Sequence, residues 1–291
     1  VTAKPGADEI YTGILKQYKA IVPADVHAAW FPKRPSEEEL MTAIVVLYFQ
    51  GGGFVTATDP GMSGAMPSRL FTSHLSTTRP VYTLWSQYRL SRDEESRFPA
   101  ALQDAVTFYN YLLTDIGVPA ENIVVSGESA GGNLVVGLMR YIEETRRLPA
   151  PRGALAWSPW VDISRSALAE YKRNPRRKTD FLNLGMIEWG VDAYPPHHRT
   201  EEADRYLQPV EHPFKTKIPL VVNTGTAELM HHEIKVFSDR MREVKGNRIE
   251  YVGTRDAPHD ILLNCWFTGL TEEAQHVLEM TGRFLEIDGR M

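Results

Sequence analysis

The sequence predicts an α/β protein with a mostly parallel central sheet and helices on both faces. Three observations carry this. Short, continuous apolar runs such as 43–49 have the character of strands buried on both sides. Segments with helical apolar spacing alternate with those runs. Glycine-rich turns end several of the runs abruptly.

Taken in order, residues 9–20 carry Ile10, Ile14, Leu15 and Tyr18 on one helical face, and 35–41 begin a further helical turn. The run 43–49, β-branched at its centre, stops at Gly51-Gly52-Gly53 and is the first buried strand. Residues 81–88 and 122–126 form further strands. Between them, 98–113 is a helix whose stripe is Ala101, Leu102, Ala105, Phe108 and Leu112. A tight glycine turn follows residue 126 and leads into a helix over 134–143. Strands at 153–158, 220–224 and 248–252 alternate with helices at 233–244 and 272–287. The stretch 164–214 breaks the rhythm, being rich in Arg, Pro, His and aromatics without a clear strand. It is expected to be an inserted helical segment that, with residues of about 1–40, caps a single domain over 1–291.

Composition narrows the function classes. The formal net charge of −5 comes from mixed acidic and basic residues without a long basic stripe, which argues against nucleic acid as the main partner. The densest positive run, 174–178, is read as a solvated loop. Cys265 is the sole cysteine, which rules out an intramolecular disulfide, and its apolar surroundings make it a buried thiol. No apolar run is long enough to span a bilayer. A cytoplasmic location is the default expectation, and the start at Val1 leaves room for a removed upstream segment.

The strongest chemical signal is Gly127-Glu128-Ser129-Ala130-Gly131, a G-x-S-x-G string between an expected strand and an expected helix. A sharp strand-to-helix turn lifts a serine hydroxyl clear of the sheet, and the following helix presents N–H groups to developing negative charge. The second signal is Gln50-Gly51-Gly52-Gly53-Phe54. Consecutive glycines let backbone N–H groups approach a substrate oxygen, although such a loop also serves as a plain turn. A phosphate-binding P-loop is disfavoured because no G-K-[ST] follows.

These motifs, with Tyr88-Arg89-Leu90, 98–105, Ser158-Pro159-Trp160-Val161-Asp162, Gly225-Thr226-Ala227-Glu228-Leu229 and Ala257-Pro258-His259-Asp260, resemble the hormone-sensitive-lipase-like esterases of the α/β-hydrolase superfamily. The resemblance runs from about residue 43 onward, in the family's order. It implies an α/β-hydrolase fold with a helical cap, acting as a carboxylic-ester hydrolase without metal or organic cofactor. It assigns Ser129 as nucleophile and His259 as base. His259 also has the right chain order, after nucleophile and acid, and follows an expected strand. The acid position falls on Glu228, with Asp256 and Asp260 as neighbours in sequence that rarely have the geometry to reach the imidazole's far nitrogen; Asp260 is read as structural. By the same carry-over, the oxyanion hole is formed by the N–H groups of Gly51, Gly52 and Ala130. Two departures stand out: Gln50 where the family usually has histidine, and Glu128 where it usually has aspartate. His231, His232 and Glu233 are discounted as a metal site because adjacent histidines diverge on a helix.

The expected reaction is hydrolysis of small to medium, apolar esters through a Ser-His-Glu triad and an acyl-enzyme. The alternatives are a lyase, dehydratase or acyltransferase reaction in the same pocket, or a small-molecule receptor. Trp30, Phe31, Trp189, Tyr194 and Tyr206 are candidates either to line the pocket or to pack the cap. Family members often dimerise, so a homodimer is carried as an expectation.

Overall fold

A computed structural model describes residues 1–289 and carries eight strands in one sheet. In chain order the strands are β1 (Thr2–Ala3), β2 (Val26–Phe31), β3 (Ile44–Phe49), β4 (Val81–Gln87), β5 (Ile123–Glu128), β6 (Gly153–Trp157), β7 (Leu220–Gly225) and β8 (Ile249–Thr254). Their spatial order is β1-β2-β4-β3-β5-β6-β7-β8. From β4 through β8 every neighbouring pair is parallel, whereas β2 runs antiparallel to both β1 and β4.

Alternation along β3 shows why its sequence is apolar throughout. Val45, Leu47 and Phe49 enter one core while Ile44, Val46 and Tyr48 enter the other. Helices α3 (Ala100–Thr114), α4 (Ala130–Thr145) and α8 (His231–Glu243) contribute to the first core. The second is closed by α2 (Met66–His74), α9 (Ile261–Thr268) and α10 (Thr271–Phe284). The result is three layers, helix–sheet–helix. Among the described residues, no helix is long and apolar enough to cross a membrane.

The first forty residues depart from the helical expectation. The stripe Ile10, Ile14 and Leu15 is buried as its spacing implies, but the backbone forms two 3₁₀ turns, Asp8–Ile10 and Gly13–Lys16. Gly13 adopts φ +55°, which interrupts an α-helix. Side chains from the neighbouring helices then satisfy the freed backbone. Tyr141 accepts from Thr12 N–H at 2.8 Å and donates to Ile10 C=O at 2.5 Å, and Gln103 donates to the carbonyls of Leu15 and Ile21. Residues 26–31 form a strand between β1 and β4 rather than part of a cap, so Trp30 and Phe31 lie in the sheet. The short helix α1 (Glu37–Thr42) does form near its expected place, started by a Ser36/Glu39 capping box.

Residues 164–214 hold three helices, α5 (Arg165–Arg173), α6 (Leu184–Ala193) and α7 (Glu201–Leu207), and no strand. Just beyond α6, the Tyr194 ring stacks on Phe54 with centroids 3.5 Å apart. That contact ties this segment to the glycine-rich loop after β3.

Candidate active site

Ser129 stands where β5 hands over to α4. Its backbone is forced to φ +55°, ψ −116°, outside the regions that side chains ordinarily favour. Such strain persists only where the surroundings enforce it, and here they are crowded backbone. A Cβ on Gly131 would lie 2.1 Å from the Phe49 carbonyl oxygen, and one on Gly127 would lie 2.5 Å from that of Gly131. Ser129 N–H is held by the Trp157 carbonyl at 2.9 Å. The hydroxyl therefore sits at the tip of a turn fixed almost entirely by local main chain.

Ser129 lines a cavity of about 150 Å3 together with His259, Gly51, Gly52, Glu128 and Asp260. Glu228 lies behind His259, fully buried, with its Oε2 3.4 Å from His259 Nδ1. That separation is an ion-pair distance rather than a well-formed hydrogen bond, and such contacts tighten when substrate binds. His259 Nε2, the nitrogen that would face a serine, has no hydrogen-bond partner among the described residues. Burial lowers the basicity of the His259 imidazole. The Glu228 contact and charge, joined by the charges of Asp180 and Asp260, outweigh that and raise it above the ordinary histidine value.

The carboxylate of Glu228 is itself held on both sides. Ser158 Oγ donates to Oε2 at 2.6 Å, and Thr224 Oγ1 donates to Oε1. Ser158 also accepts from Asp260 N–H at 2.9 Å, so one hydroxyl joins Glu228 to the chain beside His259. Asp260 caps α9 by accepting from Leu263 N–H at 3.3 Å, and burial pushes its carboxyl up to about 6. Asp256, the other neighbour of His259 in sequence, is exposed and pairs with Arg255.

The glycine loop holds a surprise. Gly51 N–H donates to Glu128 Oε1, which also accepts from Tyr48 at 3.5 Å. A Cβ on Gly51 would meet Glu128 Oε2 at 1.9 Å. The expectation that Gly51 offers its N–H to a substrate is therefore corrected: that donor is engaged by Glu128. The N–H groups of Gly52 and Ala130 have no acceptor among the described residues. Burial, reinforced by the charge of Asp260, holds the Glu128 carboxyl well above the usual range. Gln50 braces the other side of the loop, donating to Gln87 Oε1 at 3.0 Å and accepting from Thr58 N–H at 3.3 Å and Ser63 Oγ at 3.4 Å.

Phe181, Leu182, Met186 and Leu263 supply the apolar wall of the cavity. None of the five aromatics singled out from the sequence lines it. Tyr194 and Tyr206 are buried packing residues, and Trp189 is half exposed. Ser158, Thr224 and Asp180 had no assigned role in the sequence, because nothing local marks a hydroxyl or carboxylate that acts on a loop far away in the chain. Among the described residues no group of three or more His, Cys, Asp or Glu side chains is arranged to hold a metal ion.

A family model described as "alpha/beta hydrolase fold" matches residues 46–263. The chain is 25% identical to an acetyl-hydrolase of Streptomyces hygroscopicus over 254 residues, covering 87% of this chain and 77% of that protein. It is 28% identical to an ethyl acetate hydrolase of Pseudomonas putida over 177 residues, covering 59% of this chain and half of that protein. Among solved structures, it is similar in fold to an esterase from the bacterial hormone-sensitive lipase family, with a TM-score of 0.70 and 23% identity over 89% of this chain and 80% of that one.

Proposed function

The chain belongs to the alpha/beta hydrolase fold family, and on that premise we propose that it is a serine carboxylesterase acting on short-chain esters. The observation that carries this reading is that Ser129 and His259 line one cavity, with Glu228 3.4 Å behind His259 and the N–H groups of Gly52 and Ala130 left without acceptors among the described residues.

In the proposed mechanism, His259 Nε2 takes the Ser129 proton as Oγ attacks the ester carbonyl. Glu228 holds the imidazole by Nδ1 and stabilises the imidazolium. Negative charge on the former carbonyl oxygen is met by Gly52 and Ala130 N–H, aided by the N-terminal end of α4. His259 then protonates the leaving alcohol. Water enters, is deprotonated by the same nitrogen, and releases the acid from Ser129. Glu228 performs the role with one methylene more than an aspartate, and the donors Ser158 and Thr224 hold that longer arm in place.

The cavity supports a small acyl group. At about 150 Å3 it is smaller than the several hundred Å3 typical of drug-sized ligands, and Phe181, Leu182 and Met186 wall it. The names of the acetyl-hydrolase and ethyl acetate hydrolase point the same way. Replacing Ser129 with alanine should leave a folded protein whose turnover of p-nitrophenyl acetate is reduced to background. Retained turnover would exclude Ser129 as nucleophile. Wild-type protein should favour acetate and butyrate esters over octanoate and release free acid and alcohol. A product other than these would move the protein to another reaction class.

A further inference from the structure

The segment 174–181, entering the active-site wall from the region between α5 and α6, is bonded to both loops behind the candidate serine. Asn174 Nδ2 donates to the Leu229 carbonyl at 3.3 Å, Arg176 Nε to that of Thr226 at 3.0 Å, and Thr179 Oγ1 to that of Ala227 at 2.9 Å. These three bonds grip the turn that carries Glu228. The fourth side chain does more. Asp180 Oδ2 accepts from Leu229 N–H at 2.7 Å, while its Oδ1 accepts from Phe181 N–H at 2.8 Å and from His259 N–H at 3.1 Å. One carboxylate thus binds the residue after the acid and the main chain of the base itself.

Holding two carboxylate oxygens of a half-buried side chain against three N–H donors specifies the loop closely, because each charge-assisted bond fixes a direction as well as a distance. The loops it joins are also held to each other by the bridging hydroxyl of Ser158, by the amides of Thr226 and Ala227, which donate to the carbonyls of Thr254 at 2.9 Å and Ala257 at 3.0 Å, and by Asp256 N–H, which donates to Thr226 Oγ1 at 2.8 Å. The next residue along the segment, Phe181, sets its ring edge-on to the His259 imidazole with centroids 6.2 Å apart. Asp180 is therefore continuous with the cavity wall.

We propose that Asp180 is a positioning residue, which sets the Glu228–His259 distance by clasping the acid loop to the base loop and so makes the seating of segment 174–181 a condition for catalysis. This rests on the serine-esterase reading above. The group it acts on is faced by Glu228 from the turn after β7, by Asp180 from the cap segment and by Asp260 on its own loop, with Glu128 across the cavity. Asp180 raises the His259 basicity along with Glu228 and Asp260.

The test uses the full chain and p-nitrophenyl acetate. Asp180→Ala, which removes all three acceptor bonds, should lower kcat on the order of 10²-fold, the scale of a misplacement near 1 Å. KM should change far less, because the lost contact is not with substrate. Asp180→Asn can accept on one side only, so its kcat should fall by less. In both variants the acidic limb of the kcat/KM–pH profile should move to lower pH, because a negative charge facing His259 is gone. Thr179→Ala, which loosens the acid turn without touching His259, should leave that limb in place. Unchanged kcat and an unchanged limb in Asp180→Ala, with only a lowered Tm, would overturn the proposal. If Asp180→Ala fails to fold, the isosteric Asp180→Asn decides: an unmoved limb there overturns it equally. Failure of the underlying reading is separate. It would show as wild-type protein that neither turns over the ester nor takes up a fluorophosphonate at Ser129, whatever Asp180 does.

Discussion

The two halves of the candidate site are built in different ways. On one side Ser129 is held by its own neighbours: a strained backbone, flanking glycines packed against main chain, and a hydrogen bond from its N–H to the adjacent strand. On the other, Glu228 and His259 sit on turns after different strands and are joined by side chains from remote segments. Ser158 reaches Glu228 across 70 residues and Asp260 across 102, and Asp180 reaches His259 across 79. The position of Ser129 is thus a local property of the fold, and the position of the Glu228–His259 pair is a tertiary one. Damage to the first half should act through folding. Damage to the second should act through chemistry while the fold survives.

Within the Glu228–His259 half, the largest effect on chemistry should come from Glu228→Gln. The amide keeps the volume but removes the charge that stabilises imidazolium, and kcat should fall by about 10³–10⁴-fold. The sign of the accompanying pH change follows from His259. Its basicity is raised in the folded protein, so the neutral imidazole needed as base forms only above the ordinary histidine value, near pH 6.5. The acidic limb of kcat/KM in the wild type should accordingly lie above that pH. In Glu228→Gln burial dominates what remains, and the limb should move down. Stopped assays of p-nitrophenyl acetate across pH 5–9 would measure both. A limb that stays put would mean that Glu228 is not the partner of His259.

Gly131→Ala tests the other half. A methyl group there would meet the Phe49 carbonyl oxygen at 2.1 Å, a backbone atom that cannot yield without moving β3. A thermal or urea melt should show a loss of ~3 kcal/mol, the upper end for overpacking. Activity should fall with it, because Ser129 and the Ala130 N–H share the displaced turn. The pH limb of the residual activity should stay near the wild-type position, since the acid–base half is intact. A variant of wild-type stability would show that the turn is less tightly enforced than its contacts indicate.

The same contrast decides what was legible in the sequence. Gly127, Ser129 and Gly131 announce themselves because a sharp turn needs small residues at fixed offsets, and β3 announces itself because both of its faces are buried. The antiparallel strand β2, next to the sheet edge, does not. Only part of it is buried, and its pairing partner β4 lies more than fifty residues away. The helix expected over 9–20 failed at Gly13, where tertiary bonds from Tyr141 and Gln103 replace the helical ladder. Glu128 reads only as a departure from the family's usual aspartate, yet its carboxyl accepts from the Gly51 N–H and removes that donor from the expected oxyanion hole. Asp180 lies two residues beyond a positive run that reads as a solvated loop. Two of that run's members, Asn174 and Arg176, instead hold the acid turn, while Arg177 and Lys178 are exposed. No string of residue types encodes such contacts, because their donors and acceptors meet only when the sheet has formed.

The smallest effect, and the most discriminating, belongs to Ser158→Ala. Ser158 is fully buried with φ +42°, and its hydroxyl donates to Glu228 while accepting from Asp260 N–H. Alanine leaves that N–H without its acceptor, which should cost about 1–3 kcal/mol in a melt. The effect on kcat should be only about tenfold, because Thr224 still anchors the other carboxylate oxygen. The pH limb should move opposite to that of Glu228→Gln. A carboxylate with one donor fewer keeps more of its charge for the imidazolium, so His259 should become more basic and the limb should rise. A limb that falls instead would mean that Glu228 had swung away, and that Ser158 fixes the acid in position as well as moderating its charge. Equal and opposite limb shifts in the two variants would identify the acid–base half as an adjustable electrostatic unit, which the strained turn at Ser129, holding its side chain by main chain alone, has no means to be.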